Sequence, residues 1–330
     1  MARLKRRQWL ALCAAGLAGR ASAVGPWPAA SLTLMLAYPP GGVTDRIARA
    51  LVLRLRAALG VPVQMSYRPG AGGTLAMEAL AQAPADGRLL CLNAATPLTL
   101  APWLGRLRYD PLRDIAPIAG LMATPALVVG TPALVVGTPA LAAPDWPAML
   151  QAAAGQPGGL RWASSGIGTT GHLVVEQVRL GTGLPFVHVP YKGGGAQLQD
   201  ALAGQFELLS TNLAAPQLQW VEQGRLQALA LGAPQRHAAL PELPTLAELG
   251  HPAASRGSVF GLFAPGRMPA AMRQRLHAAL RNVLTAEDWQ SLVRAELSLP
   301  LDEGPTVLAA RLADESQSNR RLAQDPRFRA

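Results

Sequence analysis

YPPGGVTD at residues 38–45 and SSGIGTTGH at residues 164–172 share one pattern: a strand-like apolar run stops at a glycine-rich turn, and a helical pattern begins at once. Glycine lets backbone approach a ligand closely, while the helix that follows presents N–H groups without intrahelical partners at the positive end of its dipole. Each stretch is a candidate anion grip. Two grips in one chain predict two lobes that hold one negatively charged small molecule between them.

Working outward, residues 31–38 read as a first strand, and Ile47, Leu51, Leu55 and Leu59 then recur at helical spacing up to a stop at Gly60. A second strand at 61–67, the turn RPGAGG at 68–73, a short helix through Gln82 and a strand at 88–93 complete one doubly wound lobe. A second set follows, with strands at 160–163, 186–189, 206–210 and 226–231 and helices at 172–180, 196–203 and 217–223. Beyond Pro269 the pattern is helical again, around Leu276, Leu280 and Leu284 and around Leu308, Leu312 and Glu315. The expected fold class is α/β: two doubly wound α/β lobes joined by two crossing segments. Residues 24–125 and 255–330 would form lobe 1 and residues 126–254 lobe 2. Alternation of strand and helix predicts parallel sheets.

One stretch breaks the rhythm: residues 124–130 read TPALVVG, residues 131–137 repeat it, and TPAL follows again. It falls where the first crossing is expected, so it reads either as a modified hinge or as a local duplication that adds a surface loop. Looping out is preferred, because an odd insertion inside a paired strand reverses its inward and outward faces.

The first 23 residues read as an export signal: Arg3, Lys5, Arg6 and Arg7 precede an apolar run at 9–19, and Ala21-Ser22-Ala23 supplies a cleavage pattern. That run is roughly half the ~20 residues a bilayer span needs. Cleavage would start the mature chain at Val24 and place it in the periplasm. Arg6-Arg7-Gln8-Trp9-Leu10 also fits a twin-arginine signal, so the export route stays open. Cys13 follows Leu12 where a lipoprotein needs a small residue, which argues against a lipid anchor. Without Cys13 the chain keeps only Cys91, so no intramolecular disulfide and no cysteine metal cluster can form. The chain is 330 residues with formal net charge +10, which falls to +5 once the five basic residues of the leader are set aside. This mild excess suits anionic solutes. Scattered arginines and few aromatics give no nucleic-acid footprint.

In the first turn Gly41 and Gly42 offer backbone N–H groups and Thr44 a hydroxyl, while Asp45 reads as a helix N-cap or first-turn residue that accepts backbone hydrogen bonds and rigidifies the loop. The second turn holds a literal GxGxxG from Gly166 through Gly168 to Gly171. A dinucleotide reading fails further on, because the next strand runs into VHVPYK at 187–192 with no acid for a ribose hydroxyl. No cofactor is therefore expected. Ser164, Ser165, Thr169 and Thr170 add donors suited to a carboxylate. Ser164 and His172 with an aspartate would make a hydrolase triad, yet no G-x-S-x-G elbow occurs, and a histidine opening a helix reads as a cap or surface residue. Histidines at 172, 188, 237, 251 and 277 show no metal-ligand spacing. Lys192, the single lysine of the mature chain, stands beside Gly193, Gly194 and Gly195, where it reads as a surface charge or helix contact and, in a rival reading, as a Schiff-base group.

YPPGGVTDRIAR, RPGAGGT, YDPLRDIAPIA, SSGIGTTGHL, HVPYKGGGAQLQDALAGQ and LPELPTLAELG, in this order, resemble the extracytoplasmic receptors of tripartite tricarboxylate transporters, the Bug family of periplasmic binding proteins. The resemblance runs from about Leu34 to the C-terminus. It implies a Venus-flytrap architecture closing on a small organic carboxylate, held largely by backbone amides and ordered water at Pro40, Gly41, Gly42, Thr44 and Asp45, with Tyr38 just ahead, and at Ser164, Ser165, Gly166, Gly168, Thr169, Thr170 and His172. Ala71, Gly72, Gly73 and Thr74, Asn93 and Thr96, and Ser210, Thr211 and Asn212 would shape the rest of the pocket. It also implies integral-membrane transporter subunits or a sensor as partners, and a monomer. Three departures stand out: Ala85-Asp86-Gly87-Arg88-Leu89 replaces the usual PDGYT, Tyr38 takes the place of a frequent phenylalanine, and the tryptophan common before GLFAP is replaced near Val259-Phe260. The rivals are a periplasmic hydrolase or Schiff-base enzyme, and a ligand-free interaction protein.

Overall fold

A computed structural model describes residues 31–135 and 143–328; the expected leader with Cys13, and the end of the heptad repeat, lie outside the described residues. In chain order the main elements are β1 (Leu32–Leu36), α1 (Val43–Leu59), β2 (Val63–Tyr67), α2 (Thr74–Gln82), β3 (Leu89–Ala94), β4 (Ile115–Thr124), β5 (Ala126–Gly130), α3 (Trp146–Gly155), β6 (Leu160–Ser164), α4 (Thr170–Thr182), β7 (Phe186–Pro190), α5 (Gly194–Leu202), β8 (Leu208–Asn212), α6 (Ala215–Glu222), β9 (Gln227–Gly232), β10 (Ser258–Pro265), α7 (Ala270–Leu284), α8 (Glu287–Ala295), β11 (Leu299–Glu303) and α9 (Pro305–Ala323). Short helical turns at Thr96–Thr99 and Ala101–Leu104 follow β3.

Two sheets result, ordered β11-β4-β10-β3-β1-β2 and β7-β6-β8-β5-β9. Each has a core on both faces. Along β1 the alternation of a strand sends Leu32, Leu34 and Leu36 to one core and Met35 and Ala37 to the other. The stripe Ile47, Ala48, Leu51, Val52 and Leu55 of α1 covers the first of these, and the helix stops where Gly60 turns left-handed (φ 67) and donates to Arg56 O.

The sheets are mixed rather than purely parallel. β1, β2 and β3 run parallel, as do β6, β7 and β8, but β10 is antiparallel to β3 and β4, and β5 is antiparallel to β8 and β9. The reversed strands come from the crossings. β4 ends at Thr124 in one sheet and β5 begins at Ala126 in the other, with Pro125 alone between them. The return crossing brings Ser258 into register with Thr124, so the two connections lie side by side. A Cβ on Gly257 would stand 2.5 Å from Thr124 O.

The first TPALVVG copy is not a loop: it supplies β5, buried throughout, with Ala126 and Val128 in one core and Leu127 and Val129 in the other. Its uniformly apolar run suits a strand covered on both faces. The second copy leaves the sheet, with the Thr131 hydroxyl donating to Phe206 O and a helical turn at Pro132–Val135. At the other end of the chain, α9 packs on the first lobe through Leu308 and Leu312, after which Phe328 reaches the His172 ring of the second lobe at 5.9 Å.

Candidate functional site

Four helices begin at one cavity of about 560 Å³ between the two sheets. From the first lobe comes α1, and from the second come α4, α5 and α6. Of the residues singled out in the sequence, Tyr38, Pro40, Gly41, Gly42, Thr44, Thr96, Ser165, Thr169, Thr170, Ser210, Thr211 and Asn212 line it.

At the first turn the Asp45 carboxylate folds back to accept from Gly41 N (2.9 Å), Tyr67 Oη (2.8 Å) and Arg49 Nε (3.1 Å). Burial alone would raise Asp45, but hydrogen bonds from Gly41, Tyr67 and Arg49 outweigh it and hold the carboxyl below its ordinary range. Asp45 therefore braces the turn from behind and is not on the cavity wall. It also takes up the Gly41 N–H that the sequence assigned to the ligand. The N–H groups of Gly42, Val43 and Thr44 have no backbone acceptor among the described residues, and all three residues line the cavity.

At the second turn Thr169 caps α4 by accepting from His172 N (3.3 Å) while its hydroxyl donates to Gly166 O (2.7 Å). This leaves the N–H groups of Thr169, Thr170 and Gly171 without a backbone acceptor among the described residues, again at the cavity. Ser164, Gly166, Gly168 and His172 lie behind the wall. Ser164 is fully buried, with Oγ 2.7 Å from His188 Nε2, a contact that fixes the turn and turns the hydroxyl away from the cavity. His172, read from sequence as a cap or surface residue, is fully buried; its Nδ1 accepts from Gly168 N (3.2 Å) and its ring stacks on His188 at 4.4 Å. Burial, and then the neighbouring His172, push His188 down to about 3, so the stacked pair carries no charge on that ring near neutrality.

The loop Ala71–Gly73 with Thr74 forms a rim rather than a wall. All three loop residues have positive φ (47, 61 and 96), Asn93 is buried and donates to Gly73 O (3.0 Å), and Thr74 Oγ1 donates to Ala71 O (2.9 Å). The rim meets the other lobe directly. A Cβ on Gly72 would come 2.6 Å from Ile167 O, and one on Gly193 3.5 Å from Pro39 Cγ.

Several cavity residues were not singled out in the sequence. The start of α5, Gly194 to Ala196, faces the cavity, and the run KGGGAQLQ ahead of a helical pattern was the available signal. Phe260 packs edge-on against Tyr38 (5.9 Å) and both line the first-lobe side. Arg46 also lines the cavity, but its guanidinium is held by Glu296 through two 2.6 Å hydrogen bonds. Lys192 stands exposed at the cavity with no acidic partner within 4 Å among the described residues. No group of histidine, cysteine and acidic side chains suited to a metal ion occurs among the described residues.

A family described as "Tripartite tricarboxylate transporter family receptor" matches residues 47–325. Protein BugT of Bordetella pertussis is 30% identical over 311 residues, 93% of this chain and 92% of that protein. Among solved structures, an R. palustris protein with adipate superposes with TM-score 0.81 at 27% identity, over 90% of this chain and 97% of the other. MatC from Rhodopseudomonas palustris, with bound malate, superposes with TM-score 0.81 at 25% identity, over 90% of this chain and all of the other.

Proposed function

This chain belongs to the tripartite tricarboxylate transporter receptor family, and from that premise we propose how its cleft captures a small carboxylate. The protein is a periplasmic solute-binding receptor, not an enzyme. Its ligand carboxylate is held between Gly42, Val43 and Thr44 on one side and Thr169, Thr170 and Gly171 on the other. The observation that carries this reading is the convergence of helix N-termini from both lobes, with unengaged N–H groups, on one cavity.

Electrostatic arithmetic supports a shared grip. One helix end contributes ~0.3 to 1 kcal/mol, or ~2 when partly buried, whereas micromolar binding needs about 8 kcal/mol. Two exposed ends fall short, and closure of the cleft makes up the difference by removing water and strengthening every polar contact inside. The lobes are assigned as residues 24–125 with 255–330 and residues 126–254, and they hinge at the paired crossings. A leader ending at Ala23 is removed on export. The loaded receptor works as a monomer and delivers its acid to integral-membrane transporter subunits or to a sensor.

Native mass spectrometry of freshly isolated periplasmic protein tests the reading: a small acid should leave on collisional activation. Gly42→Leu should abolish that adduct, because a Cβ there meets nothing within 4 Å and the side chain would fill the cavity. A Gly42→Leu protein that retains the acid at wild-type occupancy refutes the assignment.

A further inference from the structure

We propose that Gln197 and Gln217 form a polar subsite on the second-lobe wall of the cleft, which selects carboxylates whose far end bears an uncharged hydroxyl or carboxamide over those bearing a second carboxylate. The inference rests on the receptor reading above and deepens it. Gln197 stands in the first turn of α5, fully buried, and neither its Nε2 nor its Oε1 has a hydrogen-bond partner among the described residues. Gln217 stands in the first turn of α6 at 6% exposure; Nε2 reaches Thr211 Oγ1 at 3.4 Å, but Oε1 has no partner. Both residues line the cavity that the grip faces.

Neighbouring polar side chains are already engaged. Ser210 Oγ accepts from Trp162 Nε1 (2.8 Å), and Asn212 Oδ1 accepts from Ser258 Oγ (2.8 Å). Among the side chains lining the cavity, these two carboxamides hold the fully buried polar atoms without a partner among the described residues. Buried amides are almost always paired, because leaving them unpaired forfeits their hydration with no return. Whatever enters the cleft is the available partner.

The type of partner follows from the donor count. Gln197 presents a donating NH2 group and an accepting oxygen side by side, whichever way its amide is turned. A carboxylate only accepts, so it would satisfy the N–H and set its negative oxygen against the amide oxygen. A hydroxyl or carboxamide both donates and accepts, and meets both. Gln217 Oε1 adds a second acceptor, which calls for ligand hydrogens again. Neither nearby cation reverses this preference: Arg46 is neutralised by Glu296, and the Lys192 ammonium is exposed, where water and salt screen it.

The test is calorimetric titration of the mature protein with acids matched in length: succinate, succinamate and 4-hydroxybutyrate, then adipate, adipamate and 6-hydroxyhexanoate. At the better-fitting length the monoamide or hydroxy acid should bind at least ~10-fold more tightly than the dicarboxylate, about 1.4 kcal/mol. Gln197→Met, of similar volume, should bring that ratio within about threefold, and Gln217→Met provides the same readout should the first variant fail to fold. A dicarboxylate that binds as well as or better than its partners overturns the subsite while leaving the receptor reading intact. A ratio that persists in folded Gln197→Met and Gln217→Met also overturns it. Absence of binding by all six acids defeats the carboxylate reading and the subsite with it.

Discussion

Gly72→Ala should weaken ligand binding without a matching loss of fold stability. The Cβ it introduces would stand 2.6 Å from Ile167 O across the rim, whereas ordinary contact begins at 3.4 Å, so the rim must part by 0.8 Å. Its φ of +61 imposes a second cost, ~1 to 2 kcal/mol for any residue with a Cβ. That strain is local and present whether the lobes are apart or together, so it cancels from the binding equilibrium. The clash exists only when they meet. Overpacking of this kind costs ~1 to 3 kcal/mol, which corresponds to binding weakened by about five- to 150-fold at 1.4 kcal/mol per decade. Gly60→Ala is the matched control, since its φ is +67 and its Cβ would meet nothing within 4 Å. Calorimetric titration with the tightest acid of the matched series, alongside urea denaturation, separates the two costs. If Gly72→Ala binds within twofold of Gly60→Ala, the rim contact does not belong to the ligand-holding state.

Two further outcomes follow from titratable groups. Asp45→Asn should lose ~1 to 3 kcal/mol of stability at pH 7, because a buried carboxylate with three donors becomes a neutral amide. Since the folded value of Asp45 lies below its ordinary one, its contribution is complete above the usual carboxylate range and fades as pH falls through the folded value. Urea denaturation at pH 7 and near pH 3 should therefore show the gap between variant and wild type closing on acidification; a constant gap refutes the assignment. For His188, lowered to about 3, the ring signal in a proton NMR titration should stay flat from pH 8 to about pH 5. The unfolded chain takes up that proton at ordinary pH, so this residue lowers stability as pH drops below about 6.5. A midpoint above pH 5 would mean that the His172–His188 stack is open to water.

The two glycine turns were legible because a strand, a turn and a helix are all local, and their signals sit within a few residues of one another. What each donor does was not. Gly41 N–H goes to Asp45, whose carboxylate is also held by Tyr67 from β2, a tertiary event that no spacing encodes. Ser164 and His172 look exposed in a polar run, yet β7 brings His188 against both and buries them. The reversed directions of β5 and β10 depend on which sheet each crossing enters, so alternation alone reads them as parallel. Phe260 was noted only as a departure near GLFAP; its place opposite Tyr38 requires the β3–β10 pairing to be known.

Pro125 is the whole of the first connection between the sheets, and the return strand runs against it at Gly257 with no space for a side chain. A tether one residue long has no slack to lend, and the ring of proline removes one of its few torsions. Under the proposed closure, the halves would turn about the line these neighbours define rather than slide past each other, like two stiff covers bound to one spine. Such a closure would return the same amides to the same places each time.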